Sequence, residues 1–185
     1  MLKKIGIGVA VALVAFAVLA ALQAPTYVVS RSATVPAPPD QVFAVLNSFK
    51  NFSEWSPWSK RDPALKTTLR GSESGPGAIY EWAGNDQVGQ GRMTILESKP
   101  NQSVVVKLEF LKPFASVADT TFTLAPDGDG TRVTWAMVGH LDYMGKVMGL
   151  FMNWDKMIGP DFEKGLAALG PLVKRVASTR GPGPG

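Results

Sequence analysis

From Ile5 to Leu22 the chain has no polar side chain: sixteen apolar residues alternate only with Gly6 and Gly8. Eighteen helical residues at about 1.5 Å each span roughly 27 Å, close to the roughly 30 Å hydrocarbon core of a bilayer. No polar residue recurs at helical spacing, so the run offers no face to water. That argues against a buried core helix. Beyond Pro25 the pattern changes to short alternating segments. Tyr27 to Val35 reads as a strand, closed by Pro36, Pro38 and Pro39. Asp40 is a candidate cap for a helix from Gln41 to about Phe49, with Val42, Phe43, Leu46 and Phe49 as its apolar stripe. Phe52 to Trp58 reads as a short helical turn ending at Pro57.

Six strand-like runs follow: Lys66–Leu69, Ala78–Ala83, Gly89–Glu97, Ser103–Phe110, Ser116–Leu124 and Thr131–Gly139. Gly, Pro, Asn and Asp separate them, as in consecutive antiparallel hairpins. Gly145 to Asn153 is rich in Met and Phe and is expected to be a loop bordering a cavity, with core filling and bilayer contact as alternatives. Trp154 to about Ala177 is the last helix; Ile158, Phe162, Leu166, Leu169 and Val173 give it one apolar face. Gly159-Pro160 and Gly170-Pro171 mark a start or a kink in it. Residues 179–185 are expected to form a disordered Gly/Pro tail. The order predicts an α+β fold: a curved antiparallel sheet of seven strands wrapped around a long C-terminal helix, with room for a cavity between them.

Composition narrows the function. Cysteine is absent, which excludes disulfides, thiolate zinc sites, thiol nucleophiles and lipid attachment through cysteine. One histidine, His140, excludes a multi-histidine metal centre. No cofactor is expected. The net charge is +4, yet it belongs to the ends. Without Lys3, Lys4, Lys174, Arg175 and Arg180, 14 basic residues face 15 acidic ones. A nucleic-acid-binding face is therefore not expected. Residues 1–25 favour a retained anchor over a cleaved signal peptide, whose apolar core runs about 7–15 residues. Cutting after Ala24 would also put Leu22 where a small residue belongs. Lys3 and Lys4 would stay cytoplasmic. The chain is then single-pass in the cell membrane, with residues 26–178 as a periplasmic or extracellular domain.

Several segments are similar to the START-like, or SRPBCC, superfamily with its helix-grip fold. They are Pro36-Ala37-Pro38-Pro39-Asp40-Gln41-Val42-Phe43, Phe52-Ser53-Glu54-Trp55-Ser56-Pro57-Trp58 and Gly89-Gln90-Gly91. Phe110 with Pro113-Phe114, Gly130-Thr131-Arg132-Val133-Thr134-Trp135 and Asp161-Phe162-Glu163-Lys164-Gly165-Leu166 complete the set. Within that superfamily the chain resembles the polyketide cyclase/dehydrase and lipid-transport-like members, over about Tyr27 to Leu172. The resemblance implies a hydrophobic small molecule or lipid held between sheet and helix. It carries over no catalytic residue, because the superfamily has no universal catalytic motif.

The residues expected to contact such a ligand are Trp55, Trp58, Tyr80, Trp82, Met93, Phe110, Phe114, Trp135, Met148, Phe151, Met152 and Phe162. For Trp135 plain core packing competes with this role; Trp55 and Trp58 divide evenly between packing and gating. His140 could act as a general base, but a lone histidine beside a loop is more often a surface hydrogen-bonding group. Alternation leaves open whether Tyr80 and Trp82, or Glu81, face the helix. Gly89-x-Gly91 reads as a bend or bulge rather than a phosphate loop, since no helix follows it. Asp127-x-Asp129-Gly130 reads as a hairpin turn, lacking the downstream Glu of a calcium loop. Three functions remain: a tethered binding or transport module for a hydrophobic molecule, a cyclase- or hydrolase-like enzyme using polar residues of the same cavity, and an interaction domain with a filled core. A cavity of roughly 300 Å³ or more separates the first two from the third.

Overall fold

The computed structural model describes residues 2–179. Helix α1 (Leu2–Ala21) precedes strand β1 (Thr26–Val35), the short helices α2 (Pro39–Leu46) and α3 (Phe52–Trp55), and strand β2 (Lys66–Gly71). Strands β3 (Ala78–Ala83), β4 (Gln90–Lys99), β5 (Ser103–Lys112), β6 (Ser116–Asp127) and β7 (Gly130–His140) follow. Helices α4 (Tyr143–Gly149) and α5 (Trp154–Thr179) complete the fold. The sheet has seven strands in the order β1-β7-β6-β5-β4-β3-β2, every neighbour antiparallel. Hairpins join β2 through β7 in sequence order. β1 instead closes on β7, with Thr26 opposite His140 and Val35 opposite Thr131.

Strand alternation sorts the sheet into a covered and an open face. Val29, Tyr80, Ile95, Val104, Val106, Phe122, Val133, Trp135 and Met137 point inward and are buried. On α5, Phe162, Leu166, Leu169 and Val173 are at most 2 % exposed, while Ile158 is partly buried against the same core. Each such side chain contributes about 1.5–3 kcal/mol of burial. The apolar stripe read from the sequence is thus the face that seats α5 in the curved sheet.

Local chemistry changes several boundaries. Asp40 is not the cap of α2. Pro38 occupies that position without a side-chain bond, and Pro39 starts the helix, where its missing N–H costs nothing. Asp40 sits in the first turn, where its charge suits the helix dipole. The turn after it is shorter than expected and ends at Trp55. Pro160 and Pro171 both lie inside α5, which continues through them. Each follows a glycine, and a residue without Cβ relieves the clash that normally drives the pre-proline residue out of helical geometry. The Met-rich segment does not border the cavity: it is helical as far as Gly149, as α4 with no buried residue, and residues 150–153 form the turn that follows. Thr179, expected in the tail, is the last helical residue; residues 180–185, the rest of the tail, lie outside the described residues.

Helix α1 presents nearly all of its apolar side chains outward, with Ala20 the buried exception. Lys3–Ala21 is long and apolar enough to cross a membrane, and a signal sequence would have the same properties.

Candidate functional site

A cavity of about 220 Å³ lies between the concave face of the sheet and α5. Its floor is built by alternate residues on adjacent strands: Tyr80 and Trp82, Met93, Val106, Leu108 and Phe110, Thr120 and Phe122, Trp135 and Met137. Ile158 and Phe162 of α5 form the roof, and Phe49, Phe52, Trp55 and Trp58 close one side. Tyr27, Leu65 and Val88 lie at the rim with the exposed Arg61 and Gln87, so the cavity opens there.

The aromatic residues support one another. Trp135 stacks on Phe162 at 4.0 Å between centroids, with 7° between planes. Trp55 meets Trp135 edge-on at 5.4 Å, and Trp58 does so at 5.9 Å. Trp55 is 3 % exposed, which makes it a wall rather than a gate. Tyr27 stacks on Trp154 at 4.8 Å where β1 meets the start of α5. Its ring lies across Gly139, where a Cβ would stand 2.2 Å from it.

Glycines shape the β3–β4 edge as well. Gly89 has φ +62°, and the register shifts between Gln90 and Gly91. A Cβ on Gly91 would lie 2.4 Å from the Trp82 ring. That ring rests on bare backbone, and its Nε1–H donates to the Val88 carbonyl oxygen at 3.0 Å. Across the opening, the segment from Ser56 to Leu65 is strapped down twice. Arg61 Nη2 donates to the buried Asp161 carboxylate of α5 at 2.5 Å. The buried Asp62 carboxylate accepts from the Ala64 N–H at 2.9 Å and from the Asn85 N–H at 2.7 Å.

Ionisable chemistry is elsewhere. Arg61, Tyr27 and Tyr80 are the ionisable side chains in the lining among the described residues. Burial pushes both tyrosine hydroxyls above their ordinary pKa, so both stay neutral and polar. The indole N–H groups of Trp55 and Trp135 are buried without a hydrogen-bond partner. Glu81, Glu109 and Asp119 project from the convex face. Glu81 accepts from Arg70 at 2.7 Å. Glu109 accepts from Arg92 at 2.7 Å, with Lys107 3.1 Å away. The Arg92 bond, supported by Lys107, holds the Glu109 carboxyl down at about 2. His140 is half-exposed and bonded to Asp119 at 2.9 Å. The histidine and these carboxylates therefore cannot act within the cavity. Among the described residues no three His, Asp or Glu side chains gather as a metal site.

Of the twelve residues expected at the site, Trp55, Trp58, Tyr80, Trp82, Met93, Phe110, Trp135 and Phe162 line the cavity. Phe114, Met148, Phe151 and Met152 do not. Phe114 is 75 % exposed between β5 and β6, and Phe151 is 76 % exposed after α4. Helix α4 packs on α1 instead of on the sheet, with Phe16 and Phe151 6.0 Å apart. Val106, Leu108, Thr120, Phe122 and Met137 also line the cavity and escaped the sequence reading. Stepping back by twos from Phe110 reaches Leu108 and Val106, so strand alternation carried that signal.

Comparison with known proteins assigns the domain. The family described as polyketide cyclase / dehydrase and lipid transport matches residues 26–174. The chain belongs to this family. Membership supports a domain that binds hydrophobic ligands. A protein of Rhizobium leguminosarum shares the fold with TM-score 0.60 and 17% identity, over 81% of this chain and 95% of its own. One from Chromobacterium violaceum gives 0.58 and 16%, over 79% and 96%. The di-domain ARO/CYC StfQ from the steffimycin biosynthetic pathway gives 0.56 and 11%, over 83% of this chain and 52% of StfQ. At these identities the likeness is one of fold. No curated protein matches the chain.

Proposed function

We infer that this family member is a membrane-tethered binding module that holds a compact hydrophobic group between sheet and α5. The observation that carries this reading is a preformed, aromatic-lined space of about 220 Å³ with an opening strapped by Arg61 and Asp62. An apolar cavity of about 150 Å³ stays dry and takes up benzene. The space here therefore suits one or two rings, or a stretch of acyl chain whose remainder leaves through the opening. Drug-sized sites run from about 300 to 1,000 Å³. The smaller volume here favours the second reading, a filled core that supports interaction instead of binding.

The two readings differ in a titration. All residues of the core cluster lie between Val29 and Val173, so a chain from Pro25 onward keeps that core intact. Native mass spectrometry of this domain should show a retained small molecule, and the apolar probe 1-N-phenylnaphthylamine should bind with enhanced emission. Leu108→Trp, which fills the floor, should abolish probe binding while urea denaturation still shows a folded protein. A wild-type domain that carries nothing and ignores the probe would establish the filled-core reading.

A further inference from the structure

The sheet register gathers one end of several strands beside the anchor. Thr26 lies opposite His140, Ala118 opposite Gly139, Phe110 opposite Ser116 and Ala83 opposite Gln90. The start of β1, the end of β7 and the β3–β4 and β5–β6 hairpins therefore share one end of the domain. Helix α1 runs into that end, since only residues 22–25 separate it from β1. Strands are about 4.8 Å apart, so the β5–β6 tip is some 10–14 Å from β1.

This end is also the apolar one. Leu22 is 77 % exposed, Phe151 76 %, Phe114 75 %, Met144 61 % and Leu111 57 %. Isolated exposed hydrophobics are ordinary, but a contiguous group marks a contact surface. The turns at the opposite end, residues 72–77, 100–102 and 128–129, contain no large apolar side chain. Contacts with α1 show what the apolar group continues. Phe151 lies 6.0 Å from Phe16, and Lys146 Nζ donates to the Ala21 carbonyl oxygen at 3.4 Å. Tyr143 Oη stands 3.5 Å from the Ala17 carbonyl oxygen. Tyrosine and lysine at the end of an apolar span are the residues that settle at the headgroup level of a bilayer.

We propose that this end of the domain is seated in the lipid–water interface around α1, with Phe114 and Phe151 inserted among the acyl chains and Lys112 and Lys146 at the headgroups. The occupant of the surface is the bilayer itself, because Phe151 packs on Phe16 of a helix long and apolar enough to span one, and Leu111 and Phe114 lie at the same end of the sheet. Gln87 and Val88 of the cavity rim sit on the β3–β4 hairpin at this same end. The opening is thereby turned toward lipid, and a hydrophobic group can pass between membrane and cavity without crossing bulk water. The proposal rests on the tether of the preceding reading and is independent of what the cavity holds.

The absence of cysteine makes the test direct. Full-length variants Phe114→Cys, Phe151→Cys, Val11→Cys and Asp129→Cys, each carrying an environment-sensitive fluorophore, are reconstituted into vesicles of phosphatidylcholine and phosphatidylglycerol. Quenching is read with lipid-borne nitroxides and with iodide on both sides of the membrane. Labels at 114 and 151 should lose iodide quenching and report a depth of about 5–10 Å below the headgroups. The label at 129 should remain open to iodide and untouched by lipid quenchers. If position 11 lies in lipid while 114 and 151 are quenched by iodide, the tether holds and the seating is refuted. If position 11 is also in water, the tether fails and the seating falls with it. Protection of 114 and 151 from both quenchers would mean that protein covers this surface, which also overturns the proposal.

Discussion

Replacing Gly91 by alanine tests whether the cavity edge is rigid. The added methyl would stand 2.4 Å from two Trp82 ring carbons and 2.4 Å from the Glu109 carbonyl oxygen. Ordinary contact begins near 3.4 Å, so both neighbours would have to retreat by about 1 Å. Neither moves freely. Glu109 belongs to the β4–β5 ladder, and the Trp82 ring is held by its bond to Val88. Overpacking of this kind costs about 1–3 kcal/mol. The smaller entropy of an unfolded alanine offsets about 0.4–1 kcal/mol. The midpoints of the two leave a net loss of about 1.3 kcal/mol, or a melting point lower by roughly 3–5 °C for a chain of this size. Urea and thermal denaturation of the domain from Pro25 onward measure it, and the apolar probe should bind more weakly because Trp82 lines the cavity. Trp82→Leu removes the ring, so part of the cost should disappear in the double variant, a coupling of about 0.5–3 kcal/mol. Unchanged stability of Gly91→Ala, or an unchanged cost in the Trp82→Leu background, would refute the close packing of ring on backbone.

Two further outcomes follow from named contacts. The folded Glu109 carboxyl is held at about 2 against an ordinary value of 4.5, first by Arg92 and then by Lys107. A lowered folded value stabilises the protein above the unfolded value and loses that contribution as pH falls through the folded one. Thermal melts between about pH 4.5 and 2 should therefore decline less steeply for Glu109→Gln than for the wild type; equal slopes would remove Glu109 as a source. Arg61→Ala leaves the Asp161 carboxylate buried, with only Lys164 nearby at 3.7 Å. It should cost about 1–3 kcal/mol and speed hydrogen exchange in residues 56–65, whereas unaltered exchange there would show that Arg61 does not strap the opening.

Elements with a clean period were legible in the chain. The inward face of α5 follows from residues spaced by three and four, and the hairpins follow from turn residues between alternating runs. What alternation could not supply was the sign of each face. Tyr80 and Trp82 point inward and Glu81 outward only because β3 pairs with β2 and β4 in a sheet whose concave side takes α5. The methionines of α4 show the same limit. Their composition suits a cavity edge or a bilayer contact equally well, and packing on α1 decides between the sheet and the helix. The prolines left a start and a kink open, and the structure excludes the start. Pro160 and Pro171 break helices in general, yet a preceding glycine and the sheet beneath α5 keep this one continuous.

The amino-acid sequence by itself determined the order of elements, the apolar helix at one end, the absence of thiol chemistry and the family. All of these depend on residue type and near-neighbour spacing, which need no third dimension. Tertiary structure alone decided that the space between sheet and helix is about 220 Å³, that His140 and the strand carboxylates face away from it, and that Phe151 packs against Phe16 of α1. Those properties arise from pairing and curvature among residues more than a hundred positions apart, where a shift of a single residue in register reverses every side chain.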